Sequence, residues 1–208
     1  VARIGAFLVS EYVIFDRYNT LSNNITRVSM KEMQQIFDTA DLLYSLNDID
    51  KALNKLAQLL TEEYVDKNPL ILCVMNGSVV TTGHLLPKLN FPLELDYIHA
   101  TRYGDKTVGG NLNWLHKPTT NLQGRTIILV EDIFDEGVTL MALKKYCQSM
   151  GVKSVVCATL INKCHDNKVG DDPEFIGLTV PNRYVFGFGM DYQGYWRNAP
   201  GIYAVKGM

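Results

Sequence analysis

The strongest constraint on this chain is a set of short, nearly unbroken apolar runs separated by helical patterns. LILCVM at residues 70–75 and TIILV at 126–130 are apolar almost throughout, and residues 154–161 are apolar over most of their length. A strand with one wet face would alternate apolar and polar residues. These runs do not alternate, so they read as strands covered on both faces. Helical spacing fills the gaps. Met33, Ile36, Phe37, Ala40 and Leu43 mark a first helix. After the polar break Asn47-Asp48, a second helix carries Ile49, Leu53, Leu56, Leu60 and Tyr64 to a stop at Asn68-Pro69. Asn76-Gly77-Ser78 turns into a helix that runs to Leu86, and Leu140, Leu143, Cys147 and Met150 line another that Gly151 ends. Further strands are expected over residues 93–100, 125–132 and 184–188. The implied fold is α/β: a mainly parallel twisted sheet with helices on both faces. Such sheets bind ligands beyond the carboxyl ends of their strands.

Between Tyr103 and Asn121 the chain is polar and rich in glycine, with no clear period. A stretch of that kind inside a compact domain reads as a lid over a site, or as a surface excursion containing a short hairpin. The apolar residues 4–9 are interrupted by Glu11 and Asp16, too early for a signal-peptide core. Residues 1–29 read as an N-terminal extension, and the domain proper is expected over 30–208. A net charge of −2 carries no bulk footprint for nucleic acid or an anionic membrane. No stretch has the apolar length of a membrane span. Cys73, Cys147, Cys157 and Cys164 form no CxxC pair. They read as buried free thiols in a reducing compartment, so a cytoplasmic protein is expected.

The most informative chemistry lies where the strand ending at Val130 meets Glu131-Asp132, and then Asp135-Glu136-Gly137-Val138-Thr139. Backbone amides in a turn that opens a helix cradle anions, and the helix dipole adds partial positive charge. Two carboxylates just before such a cradle suit a phosphorylated sugar, whose hydroxyls can donate to them. The segment lacks the Gly-Lys-Ser/Thr ending of a nucleotide-binding P-loop and the three spaced glycines of a dinucleotide fingerprint. By itself it fits equally well an acidic first helix turn stabilised by the dipole.

VEDIFDEGVTL at 130–140 resembles the signature of the type I phosphoribosyltransferases, which bind 5-phosphoribosyl 1-diphosphate. MNGS at 75–78, RYG at 102–104, LINK at 160–163 and RYVFGFGMDYQGYWR at 183–197 resemble the hypoxanthine-guanine branch of that family. Together these motifs extend the resemblance over residues 31–206. It implies purine salvage: transfer of the phosphoribosyl group to N9 of hypoxanthine or guanine, with Mg²⁺ as cofactor and small molecules as partners. It also implies a small hood built from the N- and C-terminal segments, and a homodimer or homotetramer.

By the same resemblance, Asp135 would be the general base at purine N7. Glu131 and Asp132 would hold the ribose hydroxyls, directly or, for one of them, through Mg²⁺. The amides of Glu136, Gly137, Val138 and Thr139, with the Thr139 hydroxyl, would hold the 5′-phosphate. Lys163 would donate to purine O6, Tyr184 would stack on the ring, and the Val185 carbonyl would accept from it. Asp191, at the purine end of the site, would bind Mg²⁺ on the diphosphate. Arg197 and the turn at Asn76 and Gly77 would contact the diphosphate, and Tyr103 would be the lid tyrosine.

The chain departs from the pattern in places. Asn76 stands where many members carry lysine, Arg102 where mammalian-type enzymes carry serine, and Trp114 and His116 match nothing. His84, His99 and His165 read as ordinary polar or partly buried residues. Two other readings compete. One is a preference for xanthine, set near Val185–Asp191. The other is a regulator that senses the sugar diphosphate while binding nucleic acid, against which the charge and the retained Asp135, Lys163, Tyr184 and Asp191 all count.

Overall fold

A computed structural model describes residues 29–102 and 112–208. The expected extension up to residue 28 and the lid residue Tyr103 lie outside them. The chain divides into two compact units, Val1–Gln35 and Ile36–Met208. In the first, Ser29 opens helix α1 (Met30–Thr39) with a reciprocal cap. Its amide donates to Glu32 Oε2 at 2.7 Å, and its Oγ accepts from the Glu32 amide at 3.2 Å.

In the second unit follow β1 (Asp41–Ser45), α2 (Leu46–Tyr64), β2 (Leu70–Met75), α3 (Val79–Leu85), β3 (Glu94–Arg102) and β4 (Leu112–His116). Then come β5 (Thr126–Phe134), α4 (Val138–Ser149), β6 (Ser154–Cys164), β7 (Phe175–Pro181), β8 (Val185–Phe186) and β9 (Gly201–Ala204). The central sheet has the order β4-β3-β2-β5-β6-β7, parallel except for the antiparallel β3–β4 pair.

Side chains on a strand alternate between faces, and the apolar runs fill both. Ile71, Ile128, Val130, Ala158 and Leu160 pack with Leu53, Leu56 and Leu60 of α2. Leu70, Leu72, Ile127, Leu129 and Cys157 pack on the other face with Leu140, Leu143 and Cys147 of α4. At ~25 cal/mol per Å² of apolar surface, this two-sided burial is the main driving force for the sheet. The expected α/β sheet is what forms. None of the described helices is long and apolar enough to cross a membrane.

Three strands were not foreseen. The first helix was expected to include Leu43, but it ends at Thr39, and Leu43 lies in β1. There Asp41–Ser45 pairs antiparallel with β9, and Ser45 becomes the N-cap of α2 in a capping box with Asp48. Long-range pairing and a strong cap together override helical spacing. The third, β7, contains Gly177 and ends at Pro181; as an edge strand it tolerates both. Strands β1, β9 and β8 form a separate three-stranded sheet, the hood. Of the expected strand at 184–188 only Val185–Phe186 is regular. The short hairpin option for the polar stretch is realised where β4 pairs with β3. Cys73, Cys147 and Cys157 are buried free thiols, whereas Cys164, at the end of β6, is exposed.

Candidate active site

At the carboxyl end of β5 the buried strand delivers Glu131 and Asp132. Burial, and then the Asp132 charge, push the Glu131 carboxyl well above its ordinary range; burial also raises Asp132. Glu131 Oε2 is buried with no hydrogen-bond partner. Two desolvated, mutually repelling carboxylates with an orphaned oxygen fit a hard divalent cation and sugar hydroxyls. Among the described residues, no three acidic, histidine or cysteine side chains form a closed metal cage. The expected metal ligands are therefore split, with Glu131 and Asp132 on β5 and Asp191 in the hood segment. That suits a cation such as Mg²⁺, which completes its shell with water and substrate oxygens.

The turn after β2 lies against Asp132. A Cβ on Gly77 would sit 1.9 Å from Asp132 Oδ2, so only glycine permits this approach. The peptide Met75–Asn76 is cis. Ser78 Oγ donates to the Val74 carbonyl at 2.7 Å, which braces the turn.

Beyond Phe134 the chain makes the turn 135–137 into α4. Gly137 has φ +83°, and a Cβ there would meet the Val169 carbonyl at 2.6 Å and the Phe134 ring at 2.7 Å. As N-cap it offers no side-chain acceptor to the first helical turn. The turn encloses a cavity of about 190 Å³ lined by Glu131, Asp135, Glu136, Gly137 and Thr139 among others. A larger cleft of about 410 Å³ lies between α3 and β3, with Asp96 as its charged group. Asp96 already accepts from the Thr119 and Thr120 amides, each at 2.9 Å, so that cleft lacks converging polar groups.

Each oxygen of Asp135 has a partner. Lys163 Nζ donates to Oδ2 at 2.8 Å, and His165 Nε2 lies 2.7 Å from Oδ1. Burial raises the carboxyl's pKa, but the hydrogen bonds from Lys163 and His165 outweigh it and hold Asp135 below the usual range. The Lys163 side chain is 13% exposed, His165 8% and Asp135 42%. Reading the sequence alone missed His165 at this position. A signal was present, since residues two apart at a strand end share a face.

The hood segment carries the other expected residues. Val185 is buried on β8, and the exposed Tyr184 meets Tyr192 edge-on at 5.3 Å. Arg197 pairs with Asp191 at 2.5 Å and donates to the Gly189 carbonyl at 2.7 Å; Asp191 Oδ2 accepts from the Gly194 amide at 2.7 Å. Trp114, unassigned from sequence, packs on Tyr146 at 4.6 Å, with Lys117 over both rings. That ties β4 to α4.

Residues 40–193 match the family model described as phosphoribosyl transferase domain. The chain is 38% identical over 178 residues to the hypoxanthine-guanine-xanthine phosphoribosyltransferase of Tritrichomonas foetus, covering 85% of this chain and 97% of that protein. To the hypoxanthine-guanine phosphoribosyltransferase of Streptococcus thermophilus (strain CNRZ 1066) it is 35% identical over 170 residues, covering 81% and 94%. Among solved structures, a hypoxanthine-guanine-xanthine phosphoribosyltransferase superposes with a TM-score of 0.72 at 36% identity, over 80% of this chain and 96% of that one. A hypoxanthine-guanine phosphoribosyltransferase from Bacillus anthracis str. 'Ames Ancestor' gives 0.76 at 29% identity, over 79% and 98%. This chain therefore belongs to the phosphoribosyltransferase family, in its hypoxanthine-guanine branch.

Proposed function

We propose that this chain is a purine-salvage enzyme that transfers the 5-phosphoribosyl group of 5-phosphoribosyl 1-diphosphate to hypoxanthine or guanine. The products are IMP or GMP and diphosphate. The observation that carries the reading is the pairing of Lys163 with Asp135 beside the acidic turn. It sets a donor for a purine oxygen next to a carboxylate that can take a purine proton.

In the reaction the bond from ribose C1 to the diphosphate oxygen breaks, and the bond from purine N9 to C1 forms. Asp135 accepts the N7 proton as the ring becomes acidic. An ammonium donates to a 6-oxo group but cannot accept from a 6-amino group, so Lys163 selects 6-oxopurines. Tyr184 stacks on the ring, and the Val185 carbonyl accepts from its edge. The amides of residues 136–139 hold the 5′-phosphate. Arg197 and the amides at Asn76 and Gly77 hold the departing diphosphate, with Arg197 suited to bidentate contact. Glu131 and Asp132 hold the ribose hydroxyls, and with Asp191 they are the groups that would bind Mg²⁺. When bound, Mg²⁺ supplies positive charge that offsets the diphosphate. The domain proper runs from residue 30, and Tyr103 serves the lid. Assembly into dimers or tetramers in the cytoplasm belongs to the same reading.

A second reading adds xanthine, because the Tritrichomonas foetus relative is named for it. Steady-state assays with hypoxanthine, guanine, xanthine and adenine, each with Mg²⁺ and 5-phosphoribosyl 1-diphosphate, test both. Turnover of the first two without adenine is expected; turnover of none would end the enzyme reading. Lys163→Ala is expected to narrow the gap between 6-oxo and 6-aminopurines by about tenfold or more.

A further inference from the structure

We propose that His165, held as its neutral Nε2–H tautomer, is a positioning residue that keeps Asp135 in place while the Lys163 ammonium is shared with the purine. This rests on Asp135 acting as the base. The tautomer follows from the ring's two partners. Nδ1 lies 3.1 Å from the backbone amide of Asn167, which can only donate, so Nδ1 accepts and carries no proton. The remaining proton then sits on Nε2, 2.7 Å from Asp135 Oδ1. A proton on Nδ1 would break the bond from the Asn167 amide.

Lys163 and His165 divide the carboxylate between them, one oxygen each, but they are not equivalent. Lys163 ends a flexible chain whose ammonium has three donors and can turn to purine O6. The imidazole is nearly enclosed, at 8% exposed, and pinned at its far nitrogen. As Lys163 donates to the purine, Asp135 loses stabilisation of its charge and becomes a better base. His165 holds its orientation through that exchange. The titratable groups around this carboxylate are Lys163 on β6, His165 just after it, Glu136 in the same turn and Glu131 in the lining of the same cavity. Lys168, over the Phe134 ring at 4.6 Å with its Nζ on Asn162, lies beyond them.

Long-range ¹H–¹⁵N spectra of the full chain read the tautomer directly. The expected result is an unprotonated Nδ1 and a protonated Nε2 at neutral pH. His165→Leu is expected to lower kcat about tenfold, leave KM for the sugar diphosphate unchanged, and move the acid limb of kcat/KM upward by about half a pH unit or more. His165→Gln, which keeps a side-chain donor, is expected to recover most of kcat. An Nδ1–H or doubly protonated ring at neutral pH would overturn the proposal. So would His165→Leu with wild-type kcat and an unmoved acid limb, whether or not His165→Gln is active. Failure of the base reading is a separate result, full kcat in Asp135→Asn, and leaves the tautomer measurement decisive for the contact.

Discussion

Asp135 meets two opposed demands at once: it must stay ionised near neutral pH, yet be basic enough to take a proton from the purine. Partial burial raises its pKa and two donors lower it, and the donors prevail. A carboxylate whose folded pKa is depressed adds stability above its unfolded pKa, and that stability is lost as pH falls through the folded value. Asp135→Asn should therefore lose less stability than the wild type on acidification below the ordinary carboxylate range. The difference is small, because a carboxylate 42% exposed is well screened; urea midpoints measured against pH would show it. At neutral pH the same variant should lower kcat by about 10²-fold or more while changing sugar-diphosphate affinity far less, which single-turnover kinetics and titration can separate. The acidic residues of this site were legible because they are neighbours in sequence. His165 was missed, since its place two residues after Lys163 gains meaning only once Asp135 is known to face them both.

At the scale of the element, the strand–turn–helix unit from β5 to α4 is built so that the backbone comes close to a ligand. Gly137 adopts a left-handed φ, and a side chain there would collide with the Val169 carbonyl and Phe134, which is fully buried. Gly137→Ala should cost about 1–3 kcal/mol of stability and distort the cradle. Thermal unfolding should show the loss. Weakening of sugar-diphosphate binding beyond that of the purine would locate the distortion at the phosphate end. If binding is unchanged, residues 136–139 do not form the cradle. Residues 130–140 were readable as a unit because strand, turn and helix follow without interruption. Strand β1 was not, because Leu43 fits the helical period equally well and only its pairing with β9 decides its state.

For the compact unit from Ile36 onward, the hood must stay aligned with the sheet, because the two carry different parts of the proposed site. Tyr44 of β1 donates to the Thr179 carbonyl of β7 at 2.6 Å. Arg183, immediately before Tyr184, pairs with Asp41 at 2.7 Å and donates to the Val205 carbonyl at 2.9 Å. Arg183→Ala should raise KM for the purine several-fold and move KM for the sugar diphosphate less, at a stability cost of about 1 kcal/mol. Equal changes in both constants would show that Arg183 does not specifically set the purine side.

By itself the sequence determined the two-sided sheet and the acidic strand–turn–helix unit that β5 enters. Those depend on apolar periodicity and turn chemistry that act over a few residues. Only the tertiary structure decided which strands build the expected hood, with β9 between β1 and β8, that Gly77 lies on Asp132, and that Lys163 and His165 share the two oxygens of Asp135. Such contacts join residues far apart along the chain. Local propensity does not encode them, and they arise when the order of strands in the sheet brings their ends together.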